Sequence, residues 1–252
     1  MRPPQFLNVY RESVKAANID AYDAIEREAV HTCKRLRCPN TYFAFESGID
    51  TQQVWFLSLF DSQEDLDRVA AIYAQNGELN AAMARIAESK KDIVTPPENT
   101  VVKYREDLSR DFGVDFPHAR VLTITLIRVR EGHLGDFEER QKLINRAAGN
   151  RDSESAVARP VGLVYQGASA DTAQTFFVVL PRNNRSPEER SRKLASTKPR
   201  DAALEADIER LGDAAIVSSE ATSFGIRPDF SYLPRDWIAA DPDFWSPAGI
   251  RD

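Results

Sequence analysis

Histidine and cysteine are scarce in this 252-residue chain, with three of the first and two of the second. The two cysteines, Cys33 and Cys38, form a His-x-Cys-x4-Cys arrangement with His31. That spacing fits no standard zinc pattern, and no second ligand pair follows it, so no metal site is expected. Residues 19–37 read as a helix, and five residues of helix turn through about 500°. The two thiols are therefore expected to diverge and to remain a pair of small buried groups without a disulfide. For the same reason His31 points away from Cys33, which removes a Cys–His nucleophile.

An excess of positive charge is also missing. Lys and Arg number 33 against 39 Asp and Glu, a net charge of −6 with a pI near 5.3. Nucleic acid and anionic membranes need a basic surface and are excluded as main partners. No apolar run approaches the ~20 residues of a bilayer span. The start, Met-Arg-Pro-Pro-Gln, lacks the apolar core of a secretory signal, so a cytoplasmic location is expected. There is no P-loop, no G-x-G-x-x-G, no G-x-S-x-G and no H-E-x-x-H. Neither a nucleotide cofactor nor a metal is expected on those grounds. With 42 % apolar and 29 % charged residues, the chain can pack one large core or two ordinary ones.

What is present is a repeat. Val9–Lys15, leading to Ile19 and Tyr22, lies over Ile124–Arg130, leading to Leu134 and Phe137, at an offset of 115 positions. Each copy passes from a β-rich run into an amphipathic helix. In the first copy, strand 6–13 and helix 19–37 precede two β-rich runs, 41–47 and 53–60, joined through residues 48–52. Ile19, Tyr22, Ile25, Ala29 and Cys33 mark one face of the helix. Ser62 is placed to cap a second helix that ends near Asn76-Gly77, a third helix follows to about residue 92, and 100–104 is a fourth strand. In the second copy, strand 119–129, helix 134–148, strands 161–166 and 174–180, helices 186–194 and 200–211, and strand 214–224 repeat the order. The charge-dense stretch Arg182–Lys193 reads as a solvated loop and helix start rather than an anion site.

Two β-α-β-β-α-β runs predict an α+β chain of two tandem ferredoxin-like units. The first spans 1–107 and the second 119–225, with a linker at 108–118 and an aromatic, Pro-rich tail at 226–252 packed on the body. The tail is expected to cover an apolar patch or pocket mouth, or to mediate a contact in a homodimer. Each ferredoxin-like sheet has one face bare of helices, which must be buried. The chain resembles the dimeric α/β-barrel superfamily, in which two such units join their antiparallel sheets. The superfamily holds the antibiotic-biosynthesis monooxygenases and the NIPSNAP-like, EthD-like and haem-binding chlorite dismutase proteins. The resemblance implies an intramolecular version of that barrel over about 6–225 and rests on topology and repeat, not on a signature motif.

Haem-binding members hold iron through a histidine, but His31, His118 and His133 read as solvated helix-surface or loop residues, and no haem is expected. The polar residues in strands are more informative. Asn8, Tyr10 and Glu12 share one side of the first strand, where the second copy has Thr123 and Thr125. Together with Tyr42 and Trp55, Asn8 and Tyr10 are the candidate substrate-binding residues, provided they face the helices. Glu12 is expected to pair with Lys103 or Arg105 across adjacent strands. The functional expectation is a small-molecule-binding barrel for an aromatic or conjugated ligand. By resemblance it is a cofactor-independent monooxygenase-like enzyme in which Tyr42 and Trp55 orient the substrate and Asn8 holds an oxyanion. The alternative is a non-catalytic interaction or stress-response scaffold. A pocket of about 300 Å³ or more beside Asn8, Tyr10 and Tyr42 would favour the first.

Overall fold

A computed structural model describes residues 2–47, 51–110, 115–148, 162–167, 174–182 and 201–246. The hairpin connection at 48–50, the helix expected at 186–194, most of the charge-dense stretch and the last residues of the tail lie outside them. In chain order the elements are β1 (Phe6–Lys15), α1 (Ile19–Leu36), β2 (Tyr42–Ser47), β3 (Thr51–Phe60), α2 (Gln63–Gln75), α3 (Gly77–Lys90) and β4 (Glu98–Tyr104). There follow β5 (Val121–Val129), α4 (Leu134–Ala148), β6 (Leu163–Gly167), β7 (Gln174–Arg182), α5 (Ala202–Ala215), β8 (Ile216–Tyr232), α6 (Arg235–Ala240) and α7 (Pro242–Trp245). Both β5 and α4 begin 115 positions after β1 and α1. Hydrogen-bonded strands follow the order β1-β3-β2-β8-β5-β7-β6-β4.

The chain divides into two compact units, one of Pro4–Val101 with Phe224–Asp252, the other of Met1–Pro3 with Val102–Ser223. β4 and β8 each give one end to either unit. In the first unit, β3 is central and pairs antiparallel with β1 and β2. The register aligns Asn8, Ser58 and Tyr42 in one cross-strand row, and Tyr10, Phe56 and Ala44 in the next. Because side chains alternate along a strand, these rows share one face, together with Glu12 and Val14. The opposite face carries Leu7, Val9, Phe43, Phe45 and Leu57, each no more than 1 % exposed. Such a strand shows little apolar alternation in sequence because both faces are buried. β8 runs to Tyr232, longer than the span expected for the last strand, and its end pairs with β2. Phe230 is thereby fully buried against Tyr22, and Trp237 beyond it packs on Phe43.

The helices start and stop where side chains can satisfy their free backbone groups. Ser62 Oγ accepts the Asp65 N–H at 3.1 Å, as its position before α2 demands. Asn76 serves two helices: its backbone N–H closes α2 on Ile72, and its Oδ1 accepts the Leu79 N–H at the start of α3. Gly77 is the first residue of α3, so the Asn-Gly pair is a junction and not a simple stop.

The end of α1 corrects one expectation. Cys33 and Cys38 form a disulfide, with their Cα atoms 4.8 Å apart. The helix stops at Leu36, and Arg37 takes the left-handed conformation at φ 56°. The chain doubles back, and Cys38 donates its N–H to the Cys33 carbonyl at 3.0 Å. The two thiols meet because Cys38 lies beyond the helix, in the reversal that follows it, where helical rotation no longer separates them.

In the second unit, β5 and β6 flank β7, and β6 also pairs with the end of β4. Ile127, Phe137, Val164 and Phe176 are fully buried in one cluster with Leu108 and Ala215. Phe137 and Phe176 stack with centroids 4.4 Å apart. Leu143 and Ile144 of α4 meet Ile208 and Leu211 of α5 in a second cluster.

Candidate functional site

Between the polar face of the first unit's sheet and the helices α1, α2 and α3 lies a cavity of about 680 Å³. Its floor is the pair of cross-strand rows, contributing Asn8, Tyr10, Tyr42, Phe56 and Ser58. α1 supplies Glu26, Ala29 and Cys33, α2 supplies Leu66, Val69 and Tyr73, and α3 supplies Met83, Ile86 and Lys90. Three of the four expected residues, Asn8, Tyr10 and Tyr42, line the cavity. Trp55 does not. It sits one residue from Phe56 and so projects from the opposite face, against Phe45 and Phe224 at centroid distances of 6.3 and 5.0 Å, with the Arg11 guanidinium 5.1 Å above it. The ring that takes its place on the floor is Phe56, which meets Tyr10 at 6.0 Å and Tyr42 edge-on at 5.8 Å.

One wall is strongly charged. Lys90 Nζ lies 2.7 Å from Glu12 Oε1 and 2.6 Å from Glu26 Oε1. Tyr10 and Tyr22 donate their hydroxyls to the two oxygens of Glu12 at 2.9 and 2.7 Å. Lys90, Glu12 and Glu26 are 6 %, 2 % and 3 % exposed. Glu12 therefore pairs with Lys90 and not with Lys103 or Arg105, as the strand-neighbour argument had it. Its side chain points to the helices, and Arg105 is engaged instead by Asp107, Glu138 and Gln166.

Burial raises the pKa of the Glu26 carboxyl, Lys90 draws it back only in part, and Glu12 adds to the rise. For Lys90, burial acts to lower the pKa, but Glu26 and Glu12 outweigh it and the net shift is upward, so the ammonium stays charged. Burial raises the Tyr22 and Tyr10 phenols, with Glu26 and Glu12 adding to the effect, and both remain neutral donors. Tyr42 is likewise raised by burial.

The opposite wall is neutral. Tyr73 donates to Asn40 Oδ1 at 3.0 Å, and Asn40 Nδ2 donates to Ser58 Oγ at 3.0 Å. Asn8 Oδ1 is buried on the floor with no hydrogen-bond partner among the described residues. A buried amide oxygen in that state costs roughly 1–3 kcal/mol unless something in the cavity donates to it.

Sequence reasoning missed Glu26, Lys90 and Phe56. Glu26 carries the clearest signal: it falls on the buried stripe of α1, between Tyr22 and Ala29–Val30. A carboxylate on an apolar stripe needs a partner. Lys90, the last residue of α3, reads as an ordinary basic helix end.

Among the described residues, no three of His, Cys, Asp and Glu gather as a metal ion would require. His118 and His133 each pair with an aspartate three residues away, Asp115 and Asp136. No described helix is long and apolar enough to cross a membrane.

No family model matches the chain, and no curated protein matches it. Solved structures do. A presumed monooxygenase of Fusobacterium nucleatum superposes over 90 % of this chain and 94 % of its own, with a TM-score of 0.54 at 13 % identity. The chain has the dimeric α/β-barrel fold. A presumed monooxygenase of Lactobacillus acidophilus NCFM covers 88 % of this chain and 94 % of its own at TM-score 0.48 and 11 % identity. An anthrone oxidase-like protein covers 92 % and 95 % at TM-score 0.48 and 12 % identity.

Proposed function

We propose that the first unit's cavity binds a small aromatic or otherwise conjugated molecule and that the chain oxygenates it as a monooxygenase-like enzyme. The observation that carries this reading is the cavity itself. Its volume of about 680 Å³ falls within the range typical of small-molecule sites. Tyr10, Tyr42, Phe56 and Tyr73 give it ring faces on which a planar ligand can lie. Asn8 fixes orientation: its Oδ1, unpartnered among the described residues, accepts a hydrogen bond from a hydroxyl, and the same amide turned over offers an N–H to a developing oxyanion. The Fusobacterium neighbour supports the reaction class by analogy of fold.

The chemistry balances with dioxygen alone. An activated methylene, R2CH2, gives R2C=O while dioxygen supplies the carbonyl oxygen and leaves as one water. The carbon loses four electrons, and the two oxygen atoms take up four. Tyr42 and Phe56 set the plane of the ring system, and Asn8 holds the oxygen that forms.

The test is a set of anthrones, naphthols and quinones screened by thermal shift, followed by turnover under oxygen-18 gas. Binding together with label in a product carbonyl is expected, and both are expected to weaken in Asn8→Leu and Tyr42→Ala. If none of the set binds, or the bound compounds return without label, the monooxygenase reading fails.

A further inference from the structure

The charged wall of the cavity does more than the binding role requires. Two carboxylates, Glu12 and Glu26, face one ammonium, Lys90, so with both carboxylates ionised the cluster holds one negative charge in excess. The two carboxylates are not equivalent. Glu12 is engaged on both oxygens, by Tyr10, Tyr22 and Lys90. Glu26 is held at Oε1 by Lys90 and lines the cavity, which Glu12 does not. Paired acids whose surroundings differ in this way divide into a fixed counter-ion and a group free to take a proton.

The second unit carries no charge at the positions that lie 115 residues on from Glu12 and Glu26. At positions 115 residues on, Glu12, Tyr22 and Glu26 are replaced by Ile127, Phe137 and Gln141, each fully buried. Ile127 and Phe137 pack with Phe176 in a solid apolar cluster. A buried carboxylate pair that the same topology can do without, set on a cavity wall, points to chemistry.

We propose that Glu26 is the proton acceptor of this cavity, and that the substrate is a weak carbon acid whose conjugate base is delocalised over an aromatic ring system. The inference rests on the small-molecule role of the cavity proposed above. The substrate C–H bond breaks, its proton passes to a Glu26 carboxylate oxygen, and its electron pair remains on the substrate as a conjugated carbanion. The charge in the cavity is unchanged in total; it has moved from Glu26 to the substrate. Lys90 keeps Glu12 as counter-ion and faces the new anion. Its ammonium already lies 5.7 Å from the Tyr10 ring and 5.9 Å from the Phe56 ring, on the cavity floor. Burial and Glu12 raise the Glu26 pKa, which makes it a stronger base than an exposed carboxylate.

Proton transfer can be isolated from the oxygen step. Anthrone under nitrogen in heavy water is followed by NMR for deuterium at its methylene, and its binding is followed separately by thermal shift. The wild-type chain is expected to accelerate the exchange. Folded Glu26→Gln is expected to lose about 100-fold or more of that acceleration while still binding anthrone, and Glu26→Asp to retain part of it. Should Glu26→Gln not fold, the wild-type pH profile decides. The groups facing Glu26 are Glu12 and Tyr10 from β1, Tyr22 from α1, Tyr42 from β2 and Lys90 from α3. The phenols and the ammonium keep their protons, so the exchange must fall as the pH is lowered and Glu26 becomes protonated. A flat profile across about pH 4–8 overturns the assignment, as does wild-type exchange in a folded Glu26→Gln. Anthrone that binds without exchange overturns the role of Glu26 and leaves the binding role standing. Anthrone that does not bind overturns both.

Discussion

Removing the Lys90 ammonium tests the buried charge cluster most directly. In Lys90→Met the side chain keeps much of its length and apolar contact but leaves Glu12 and Glu26 without their shared cation. Both carboxylates lie within 2.7 Å of Nζ, and neither is more than 3 % exposed, so removing Nζ leaves two buried carboxylates without their shared cation. Breaking a buried pair at one partner costs about 3–5 kcal/mol, which in a chain of this size lowers Tm by roughly 6–20 °C. The sign of the pH dependence follows from Glu26. Its folded pKa is raised by burial, only partly offset by Lys90. Its contribution to stability is therefore complete below the unfolded carboxyl value and is lost as the pH rises through the folded value. Without Lys90 the folded value rises further, so the deficit of the variant is expected to be deepest at neutral pH and to shrink toward about pH 5. Adding Glu26→Gln to Lys90→Met is expected to restore part of the loss by removing the charge left unpaired. Urea unfolding at several pH values reads all three quantities. A deficit below about 1 kcal/mol, or one independent of pH, would show that the cluster is wet or unpaired and would sink the account of the cavity wall.

Two further outcomes follow from contacts outside the charged wall. Cys38→Ser, or reduction of the wild type by dithiothreitol, opens the Cys33–Cys38 link and is expected to cost about 2 kcal/mol, the entropy of closing so short a loop, read as a lower urea midpoint; an unchanged midpoint would mean that the link is not formed. Asp229 sits in partial burial, but hydrogen bonds and charge from Arg227 and Arg27 hold its pKa below the ordinary carboxylate value. Its contribution is present above the unfolded value and lost as the pH falls through the folded one, so Asp229→Asn should flatten the acid limb of the stability curve, and an acid limb identical to wild type would refute the pairing.

Periodicity and the 115-residue offset made most of the fold legible. Strand alternation in 6–13 and the helical stripe from Ile19 to Cys33 depend on local geometry, which a sequence displays directly. The site was less legible. Asn8, Tyr10 and Tyr42 could be singled out because polar groups in a buried strand need a reason to be there. Trp55 was misplaced because a slip of one residue along a strand reverses the face; only the register with Tyr10 shows that Phe56, and not Trp55, reaches the floor. Lys90 was invisible because it reaches Glu12 across 78 positions of sequence, a contact that no local pattern records. The Cys33–Cys38 link turned on one residue, Arg37, in a left-handed conformation that glycine usually supplies and that nothing in its type announces.

The two units together allow a decisive exchange of residues. At an offset of 115 positions the second unit has the buried, uncharged residues Ile127, Phe137 and Gln141. Writing those choices into the first unit as Glu12→Ile, Tyr22→Phe and Glu26→Gln, with Lys90→Met to remove the orphaned cation, replaces the ionic cluster with uncharged side chains of similar size. Substitutions of that kind are often neutral or stabilising by about 1–4 kcal/mol, because the desolvation of buried ions disappears with them. If the charges serve chemistry, the quadruple variant should be at least as stable as the wild type in urea and should show no deuterium exchange into anthrone. If the variant is less stable or loses its cooperative transition, the charges are needed by the fold itself. A stable variant that still catalysed the exchange would move the proton acceptor away from Glu26 altogether. Lys90→Met must destabilise while the fourfold change that contains it must not, because breaking a buried ion cluster leaves a charge unpaired and replacing it whole does not; loss of exchange in the stable fourfold variant is what assigns the charges to chemistry.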